Sequence, residues 1–478
     1  MKHKLLSFII ITACYSASAQ NKEPDTLFFV NPYLQIGSQS SSESLSLLWQ
    51  TRAQKAVWTV EHRTNNNDKW LKTGNPIGTR IDISGTPLHI VYRTALSGLV
   101  PGSMFTYRIL ENGKQVFIGQ AHAPRSGNQP FRFIAFGDIG AGTPEAKQIA
   151  NGVYNAQADL VLVPGDIVYD NGLISEYRSR FWPIYNASRV DTIGVPLMSS
   201  VPFAGAVGNH DADSRDLDKA PGALAYFHYW DQPLNGPVGN EGGAFVPLLK
   251  GSNENKKAFM EGAGNRYPRM TNFSFNYGNA HFTFLDADTY VDWTDSALTD
   301  WVTRDLAGAK DAVWRFVVYH HPGFNSSREH FEQQQMRLLS PVFEAGRVDI
   351  VFNGHVHNYQ RSFPMQFTPD KKGVLLVGGK ENKIVRGRVI TGKWVLDKTF
   401  DGKTDTSPHG VIYIVTGAGG QDLYNPEQQE DPDSWQKFTD KFISTVHTFT
   451  VVDINGNKLT LRQQDAAGKT LDEIQIAR

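Results

Sequence analysis

The chain has 478 residues with a formal net charge of −1, and 40% of its residues are hydrophobic. This length predicts more than one domain, and the apolar fraction is sufficient for buried cores. A nearly neutral chain has no overall positive field to attract nucleic acid or an anionic membrane, so neither class of partner is implied. Aromatic residues at 12%, with 43 glycines and 24 prolines, favour a β-rich fold over a helical bundle.

The first residues have the pattern of an export signal. Lys2 and Lys4 provide positive charge, Leu5 to Ile11 form a short apolar run, and Ala17-Ser18-Ala19 fits a cleavage site. The apolar run is too short for a membrane-spanning helix, which needs about 20 residues. We therefore predict a signal peptide over residues 1–19 and a secreted or periplasmic protein without a transmembrane segment.

The single cysteine offers an alternative localisation. Ile11-Thr12-Ala13-Cys14 resembles the lipobox at which bacterial lipoproteins are cleaved and acylated, so the chain could instead be a lipoprotein anchored through Cys14. In either case no disulfide can form within the chain. Its stability therefore has to come from core burial and metal binding.

Residues 26–124 have the rhythm of short strands separated by turns, which is typical of a β-sandwich. The stretch from Leu99 to Tyr107 resembles a corner of the fibronectin type III fold, in which a Tyr hydroxyl bonds the backbone a few residues upstream. We predict a fibronectin type III-like domain that carries no chemical site. A polar linker from Pro124 to Pro130 follows.

The pattern changes at Phe131. An apolar strand at residues 132–136, a helix at 144–155 and a second apolar strand at 160–163 predict a parallel strand–helix–strand unit. Three further strands are predicted at residues 203–207, 316–319 and 348–352. Residues 411–415 and the tail at 447–476 are predicted to complete a second sheet. The predicted fold class is α/β, with a catalytic domain over residues 130–478.

Each of the five predicted strands ends in a polar motif. In chain order the motifs are Gly137-Asp138-Ile139-Gly140, Gly165-Asp166-Ile167-Val168-Tyr169, Gly208-Asn209-His210-Asp211, Val317-Val318-Tyr319-His320 and Gly354-His355-Val356-His357. The carboxyl ends of strands are where α/β folds place their sites. The motifs supply two carboxylates, one phenol, one amide and three imidazoles, a set that suits two cations sharing one carboxylate.

Taken singly, these motifs have structural explanations, since Gly-Asp is a common turn and His320 could be a core histidine. Their joint occurrence at strand ends favours metal binding. Two cations about 3.5–4 Å apart can activate water and stabilise the attacking and leaving oxygens of a phosphoryl displacement. The chain is therefore predicted to be a two-metal phosphoester hydrolase.

The five motifs and their order resemble the calcineurin-like metallophosphoesterase superfamily, and within it the purple acid phosphatases. The resemblance runs from about residue 30 to the C-terminus, and the block from Gly165 to Tyr169 is its most discriminating feature. It implies a four-layer metallophosphoesterase fold, with two mixed sheets flanked by helices, preceded by the β-sandwich.

The resemblance also implies a division of the ligands between two metals. The first metal would be bound by Asp138, Tyr169 and His357, the second by Asn209, His320 and His355, and Asp166 would bridge them. Phenolate and carboxylates suit Fe(III), whereas imidazoles and an amide suit a divalent ion such as Zn(II), Fe(II) or Mn(II). Tyr169 bound to iron would give a charge-transfer band and a purple colour.

Several residues near the motifs have predicted supporting roles. His210 would stabilise charge or protonate the leaving oxygen. His330 matches a substrate-binding histidine of plant-type members, with an ordinary surface-loop histidine as the open alternative. Asp211 is expected to orient a ligand or the turn, and Arg361 to pair with a nearby acid rather than with phosphate. His321 is given no role.

Function is predicted as exported hydrolysis of small-molecule phosphomonoesters by attack of a metal-bound hydroxide, of the acid phosphatase type. The open alternatives are a phosphodiesterase or nucleotidase with the same metals, and a surface binding protein that has lost catalysis. The natural substrate and the oligomeric state are left open.

Three further segments carry predictions of their own. Residues 212–271 and 366–408 are predicted insertions, and long irregular loops of this kind are often functional lids. The second insertion has a basic run, for which a solvated hairpin is the alternative: Lys380, Lys383, Arg386, Arg388 and Lys393. The glycine-rich residues 417–420 are predicted to form a tight turn beside the active site.

Overall fold

The computed structural model describes residues 27–64, 69–377 and 386–478. The predicted signal peptide, its cleavage site and Cys14 lie outside these described residues. So do Lys380 and Lys383 of the basic run.

The described part of the N-terminal segment forms eight strands that face each other in two sheets. They are β1 (Phe28–Gln35), β2 (Ser44–Arg52), β3 (Trp58–Thr64), β4 (Leu71–Lys72), β5 (Ile77–Ile81), β6 (His89–Ser97), β7 (Met104–Glu111) and β8 (Lys114–His122). The order β4-β3-β7-β8 makes a four-stranded sheet, while β1, β2, β6 and β5 belong to a larger one. Trp49, Trp58 and Tyr107 fill the core between them, as alternating apolar residues predict.

The described residues after 122 add seventeen strands. They are β9 (Phe131–Ala135), β10 (Leu160–Pro164), β11 (Phe203–Ala206), β12 (Phe273–Tyr277), β13 (Ala280–Phe284), β14 (Trp314–Val318), β15 (Ile350–Asn353), β16 (Tyr359–Ser362), β17 (Met365–Pro369), β18 (Val374–Val377), β19 (Arg386–Val389), β20 (Gly392–Leu396), β21 (Ile412–Thr416), β22 (Thr439–Ile443), β23 (Thr448–Asn455), β24 (Lys458–Asp465) and β25 (Thr470–Ala477). The first large sheet has the order β25-β24-β23-β9-β10-β11-β1-β2-β6-β5, and the second has the order β12-β13-β14-β15-β21-β16-β22.

Helices lie between the strands. They are α1 (Pro144–Asn155), α2 (Ile174–Glu176), α3 (Trp182–Tyr185), α4 (Asn209–Ala212), α5 (Tyr226–Tyr229), α6 (Asn253–Ala263), α7 (Ser296–Gly308) and α8 (Ser340–Ala345), and a π-helical turn at Tyr177–Phe181 joins α2 to α3. The start of α1 follows from its sequence: the Thr143 hydroxyl accepts from the Ala146 amide, and Pro144 has the φ angle that a first helical turn requires. The predicted helix at 144–155 is confirmed.

The two large sheets pack face to face through aromatic side chains. The ring of Phe133 lies 5.4 Å from Phe282 and 5.1 Å from Phe316, which come from the opposite sheet. Helix α1 covers the outer face of the first sheet, and α7 and α8 cover that of the second. Because β9, β10, β14 and β15 lie between two layers, their residues are apolar apart from Arg132, Arg315 and the terminal Asn353. The predicted four-layer α/β fold is confirmed.

The prediction for the C-terminal tail is wrong in part. Strand β21 belongs to the second sheet, but β23 pairs antiparallel with β9, and β24 and β25 continue that first sheet. Strand β9 would otherwise be an edge with unpaired backbone groups, and the tail covers it. An apolar pattern reports burial and does not report which sheet a strand joins.

The β-sandwich is continuous with the catalytic sheets. Strand β1 pairs in parallel with β11 at Gln35 and Phe203. The Tyr107 hydroxyl donates to the Ser199 carbonyl at 2.6 Å, so the expectation of a bond a few residues upstream is wrong. Tyr107 faces the segment before β11, and its hydroxyl links the two parts of the chain. The limits 26–124 and 130–478 remain our proposed domain division.

Replacing Tyr107 by phenylalanine should lower the apparent free energy of unfolding by about 1 kcal/mol, because one partly buried hydrogen bond is lost without a change in packing. Urea unfolding followed by fluorescence measures it. Tyr92→Phe is the matched control in the same core, since the Tyr92 ring stacks on Trp49 at 5.2 Å and its hydroxyl has no partner within the described ranges. Equal stability of the Tyr107 variant and wild type would contradict the linking role.

Candidate dinuclear metal centre

The seven predicted ligands lie at the carboxyl ends of strands from both large sheets. The first sheet supplies four, namely Asp138 after β9, Asp166 and Tyr169 after β10, and Asn209 after β11. The second supplies three, namely His320 after β14 and His355 and His357 after β15. Parallel pairing of β9 with β10, of β10 with β11 and of β14 with β15 brings these ends together.

One group of donors surrounds Asp138. The Tyr169 hydroxyl donates to Asp138 Oδ1 at 3.0 Å, and His357 Nε2 lies 3.3 Å from the same hydroxyl. His357 Nε2 is also 3.5 Å from Asp138 Oδ1. These three side chains are the ones that the resemblance assigns to the first metal.

The second group surrounds Asp166. His320 Nε2 lies 3.1 Å from Asp166 Oδ1 and 3.2 Å from Asn209 Oδ1. Asp166, His320 and His355 can each present a ligand atom such that all three atoms are within 4.8 Å of one another. The Asp166 carboxylate also lies near enough to the Tyr169 phenol to raise its pKa, so this carboxylate lies between the two groups.

The backbone at the site is held in an uncommon conformation. Asp138, Asp166 and His355 have φ angles of 60°, 50° and 68°, in the left-handed region that L-residues rarely adopt. Such conformations cluster at functional sites, where the surrounding structure maintains them. Glycines in the ligand motifs allow the ligand loops to approach each other closely. A Cβ on Gly208, before Asn209, would lie 2.2 Å from Asp166 Oδ1, and one on Gly354, before His355, would lie 2.7 Å from Asp138 Oδ2.

Backbone carbonyls orient two of the three imidazoles. His320 Nδ1 donates to the Pro164 carbonyl at 2.8 Å, and His357 Nδ1 donates to the Asp422 carbonyl at 2.7 Å. Each bond uses the Nδ1 proton and directs Nε2 towards the carboxylates, where a bound cation would take the place of an Nε2 proton. This arrangement is common for metal-binding histidines.

The electrostatics of the site are dominated by burial and by the Asp166 carboxylate. Burial opposes the charged forms, but His320 and His210 hold the pKa of Asp166 below its usual value, and Asp166 in turn raises the pKa of His320 to about 10. Burial and His330 lower the pKa of His355 well below its usual value. His355 is therefore neutral at physiological pH, which is the form that binds metal.

Both predicted supporting histidines lie beside the donors. The His210 amide donates to Asp166 Oδ1 at 3.0 Å, and the His210 ring lies 4.4 Å from that of Tyr169. The His210 side chain is 32% exposed, so it faces both the donors and solvent. The His330 ring lies 4.0 Å from that of His355. His330 is thus not a remote surface-loop residue.

Three further expectations agree with the structure. Asp211 Oδ2 accepts from the Gly208 and Ile167 amides at 2.9 and 3.1 Å, so it holds two ligand loops together. Arg361 pairs with Asp472 and Asp440, each at 2.6 Å. The turn at residues 417–420 borders the site, because a Cβ on Gly417 would lie 2.7 Å from Asp138 Oδ2.

Sequence reasoning missed two side chains at the site. Tyr424 stacks on His357 with ring centroids 4.1 Å apart, and Gln333 Oε1 accepts from His355 Nε2. Both belong to loops without a recognisable motif. Neither loop has a regular strand whose end could have indicated the site.

The donor set fits two cations. Asp138 and Asp166 are fully or almost fully buried, and among the described residues their ion-pair partners are histidines rather than lysine or arginine. Buried carboxylates need compensating charge, and bound cations provide it. The oxygen-rich group around Asp138 suits a harder ion than the imidazole-rich group around His320.

Comparison with known proteins agrees with the fold and the site. The calcineurin-like phosphoesterase family matches residues 131–359, which contain all seven predicted ligands. Residues 131–359 therefore form a calcineurin-like phosphoesterase domain. Together with the relatives described below, this makes the chain similar to the purple acid phosphatases, as the sequence motifs predict.

Two curated relatives and one solved structure illustrate the similarity. The chain is 25% identical over 456 residues to probable inactive purple acid phosphatase 27 of Arabidopsis thaliana, covering 83% of this chain and 68% of the relative. It is 27% identical to purple acid phosphatase 15 of the same plant, covering 57% of this chain and about half, 49%, of the relative. The structure of purple acid phosphatase PPD1 from yellow lupin superposes with a TM-score of 0.63 at 18% identity, covering 94% of this chain and 74% of PPD1.

Proposed function

We propose that the chain is a metal-dependent phosphomonoesterase of the acid phosphatase type. The observation that carries this proposal is the convergence of seven donors into two groups with Asp166 between them. The name of one relative, purple acid phosphatase 15, supports the same reaction class. The substrate would be a small-molecule phosphate ester.

The proposed ligand assignment follows the two groups. Asp138, Tyr169 and His357 would hold Fe(III), Asn209, His320 and His355 would hold Zn(II), Fe(II) or Mn(II), and Asp166 would bridge. When bound, two such cations lower the pKa of a water molecule and neutralise charge on the phosphoryl oxygens. The protein's own contribution is to fix these donors and to supply groups that bind and protonate the substrate.

His210 is suited to act on the leaving oxygen. Its Nδ1 donates to the Asp170 carbonyl at 2.8 Å, which directs Nε2 towards the site, 3.9 Å from Asp166 Oδ2. Burial disfavours its charged form, but Asp166 raises its pKa above the usual value, so a larger fraction is protonated near neutral pH. A protonated imidazole there can donate to the departing oxygen. His330 would hydrogen-bond a phosphate oxygen from the other side of His355.

Two alternatives use the same site. A phosphodiesterase or nucleotidase would need the same metals and would differ in the loops that contact the organic group. A binding protein without catalysis is suggested by the name of one relative, which is called probable inactive. The complete donor set favours catalysis, because decayed enzymes usually lose at least one ligand.

Rates on two model esters test these proposals. Protein produced with iron and zinc should hydrolyse p-nitrophenyl phosphate at least about tenfold faster than bis(p-nitrophenyl) phosphate, because the monoester presents one more unesterified phosphoryl oxygen to the two cations. Faster hydrolysis of the diester would favour the phosphodiesterase. Absence of turnover on both esters, with both metals bound, would favour the binding protein.

Export remains a prediction from the N-terminal residues. In the portions of the chain with described structure, no helix combines the length and the apolar character that crossing a bilayer requires. Secretion and the lipid anchor at Cys14 are distinguished by the mass of the native N-terminus.

A further inference from the structure

We infer that Gln333 is a positioning residue for the divalent metal, and that strand β19, which lies in the predicted insertion, acts on the metal centre through it. The inference rests on the proposed function, because it assigns His355 to the second metal. Gln333 would hold His355 in one orientation and one tautomer. Strand β19 of the insertion would hold Gln333 in place.

The contact between Gln333 and His355 determines which imidazole nitrogen faces the metals. Because an amide oxygen can only accept a hydrogen bond, the His355 nitrogen that contacts it, Nε2, must carry the proton. The lone pair is then on Nδ1. This leaves Nδ1 as the His355 atom that can join Asp166 and His320 in the compact ligand group.

His355 differs in this respect from the other two predicted imidazole ligands. His320 and His357 are oriented by the backbone carbonyls of Pro164 and Asp422, which replacement of a side chain does not remove. His355 is oriented by a side chain from a different loop. Its ring also lies between those of His321 and His330, at 4.1 and 4.0 Å. Replacement of a single side chain outside the predicted ligand set can therefore alter the orientation of His355.

The insertion fixes the loop that carries Gln333. Gln333 forms a parallel β-bridge with Arg388, and the next amide, that of Gln334, donates to the Arg388 carbonyl at 3.0 Å. The Ile390 amide donates to Gln334 Oε1 at 3.1 Å. The packing is close, since a Cβ on Gly387 would lie 2.6 Å from the Glu332 carbonyl. Hydrogen bonds and packing thus form a continuous path from β19 to His355.

Replacement of Gln333 tests the inference in the full-length protein loaded with iron and zinc. Gln333→Leu removes the acceptor at similar size, so zinc affinity, measured by competition with a chelator, should fall about 10- to 100-fold, as for other partners of metal-binding histidines. Iron content and the visible band should persist. Gln333→Glu keeps an acceptor and should restore zinc affinity to within about threefold of wild type.

A neighbouring glutamine provides the matched control. Gln335 donates to the Ala287 carbonyl at 2.9 Å and lies on the same loop, so Gln335→Leu should leave zinc affinity unchanged. Wild-type zinc affinity in Gln333→Leu would overturn the inference. Equal loss of iron and zinc in Gln333→Leu without restoration in Gln333→Glu would also overturn it, because a purely structural role would then suffice.

The role of the insertion is tested separately. Gly387→Val should displace the Glu332–Gln333 backbone and reduce zinc affinity in the same direction as Gln333→Leu. Val395→Ala, at an exposed position on β20, is the control within the insertion. Unchanged zinc affinity in Gly387→Val would overturn the connection to β19.

A wild-type protein that binds both metals but hydrolyses no phosphate ester would refute the proposed function alone, since zinc affinity would still report on Gln333.

Discussion

Replacing Asp166 by asparagine should remove most of both metals and reduce phosphatase turnover by more than about 100-fold. Loss of a residue that only hydrogen-bonds a metal ligand usually costs about 10- to 100-fold, and the loss of a ligand shared by two metals should exceed this. Asp166 lies between the two donor groups, with His320 Nε2 at 3.1 Å on one side and the Tyr169 phenol, whose pKa it raises, on the other. A neutral amide cannot provide a negative charge shared by two cations. Elemental analysis of the purified variant and its rate on p-nitrophenyl phosphate measure both effects.

Asp170→Asn is the matched control for this change. It removes the same charge four residues later, from a side chain that is 65% exposed and whose nearest ion-pair partner is Arg180 at 3.6 Å. Metal content and turnover should both remain close to wild type. Full occupancy of both metals in Asp166→Asn would refute the bridging role of Asp166.

Tyr169→Phe should abolish the visible absorption of the iron-loaded protein while part of the hydrolytic activity survives. Burial and the carboxylates of Asp138 and Asp166 raise the pKa of the Tyr169 phenol well above its usual value. The phenolate therefore forms only when a cation compensates its charge, and it is the phenolate that gives the band with Fe(III). A visible spectrum recorded together with the iron content tests the assignment.

Tyr424→Phe is the control for Tyr169→Phe, because it also removes a tyrosine hydroxyl near the site. Tyr424 stacks on His357 at an interplanar angle of 14°, and it is not among the proposed ligands, so this variant should keep the band. A wild-type protein that contains iron but is colourless would show that the phenolate assignment is wrong. Retention of the band by Tyr169→Phe would have the same consequence.

The side-chain contacts at the site could be predicted from the sequence only in part. The order of strands and polar motifs predicted that Asp138, Asp166 and His320 would meet, because each follows a buried strand. The contact of Gln333 with His355 could not be anticipated, because it depends on how β19 docks against a loop more than fifty residues earlier. Similarly, the partner of Tyr107 was assigned to the wrong segment, since a local corner motif carries no information about the residues that face it.

The sequence alone determined the class of site and the elements that carry it. Continuous apolar runs of four or five residues must be buried strands, and polar donors directly after them must lie at the edge where parallel strands end. The tertiary structure alone decided that the C-terminal strands extend the first sheet, that the sandwich shares that sheet, and that β19 docks against the loop whose Gln333 contacts His355. These features depend on which backbone edges and side chains meet across long separations in the chain, and local periodicity does not encode such pairings.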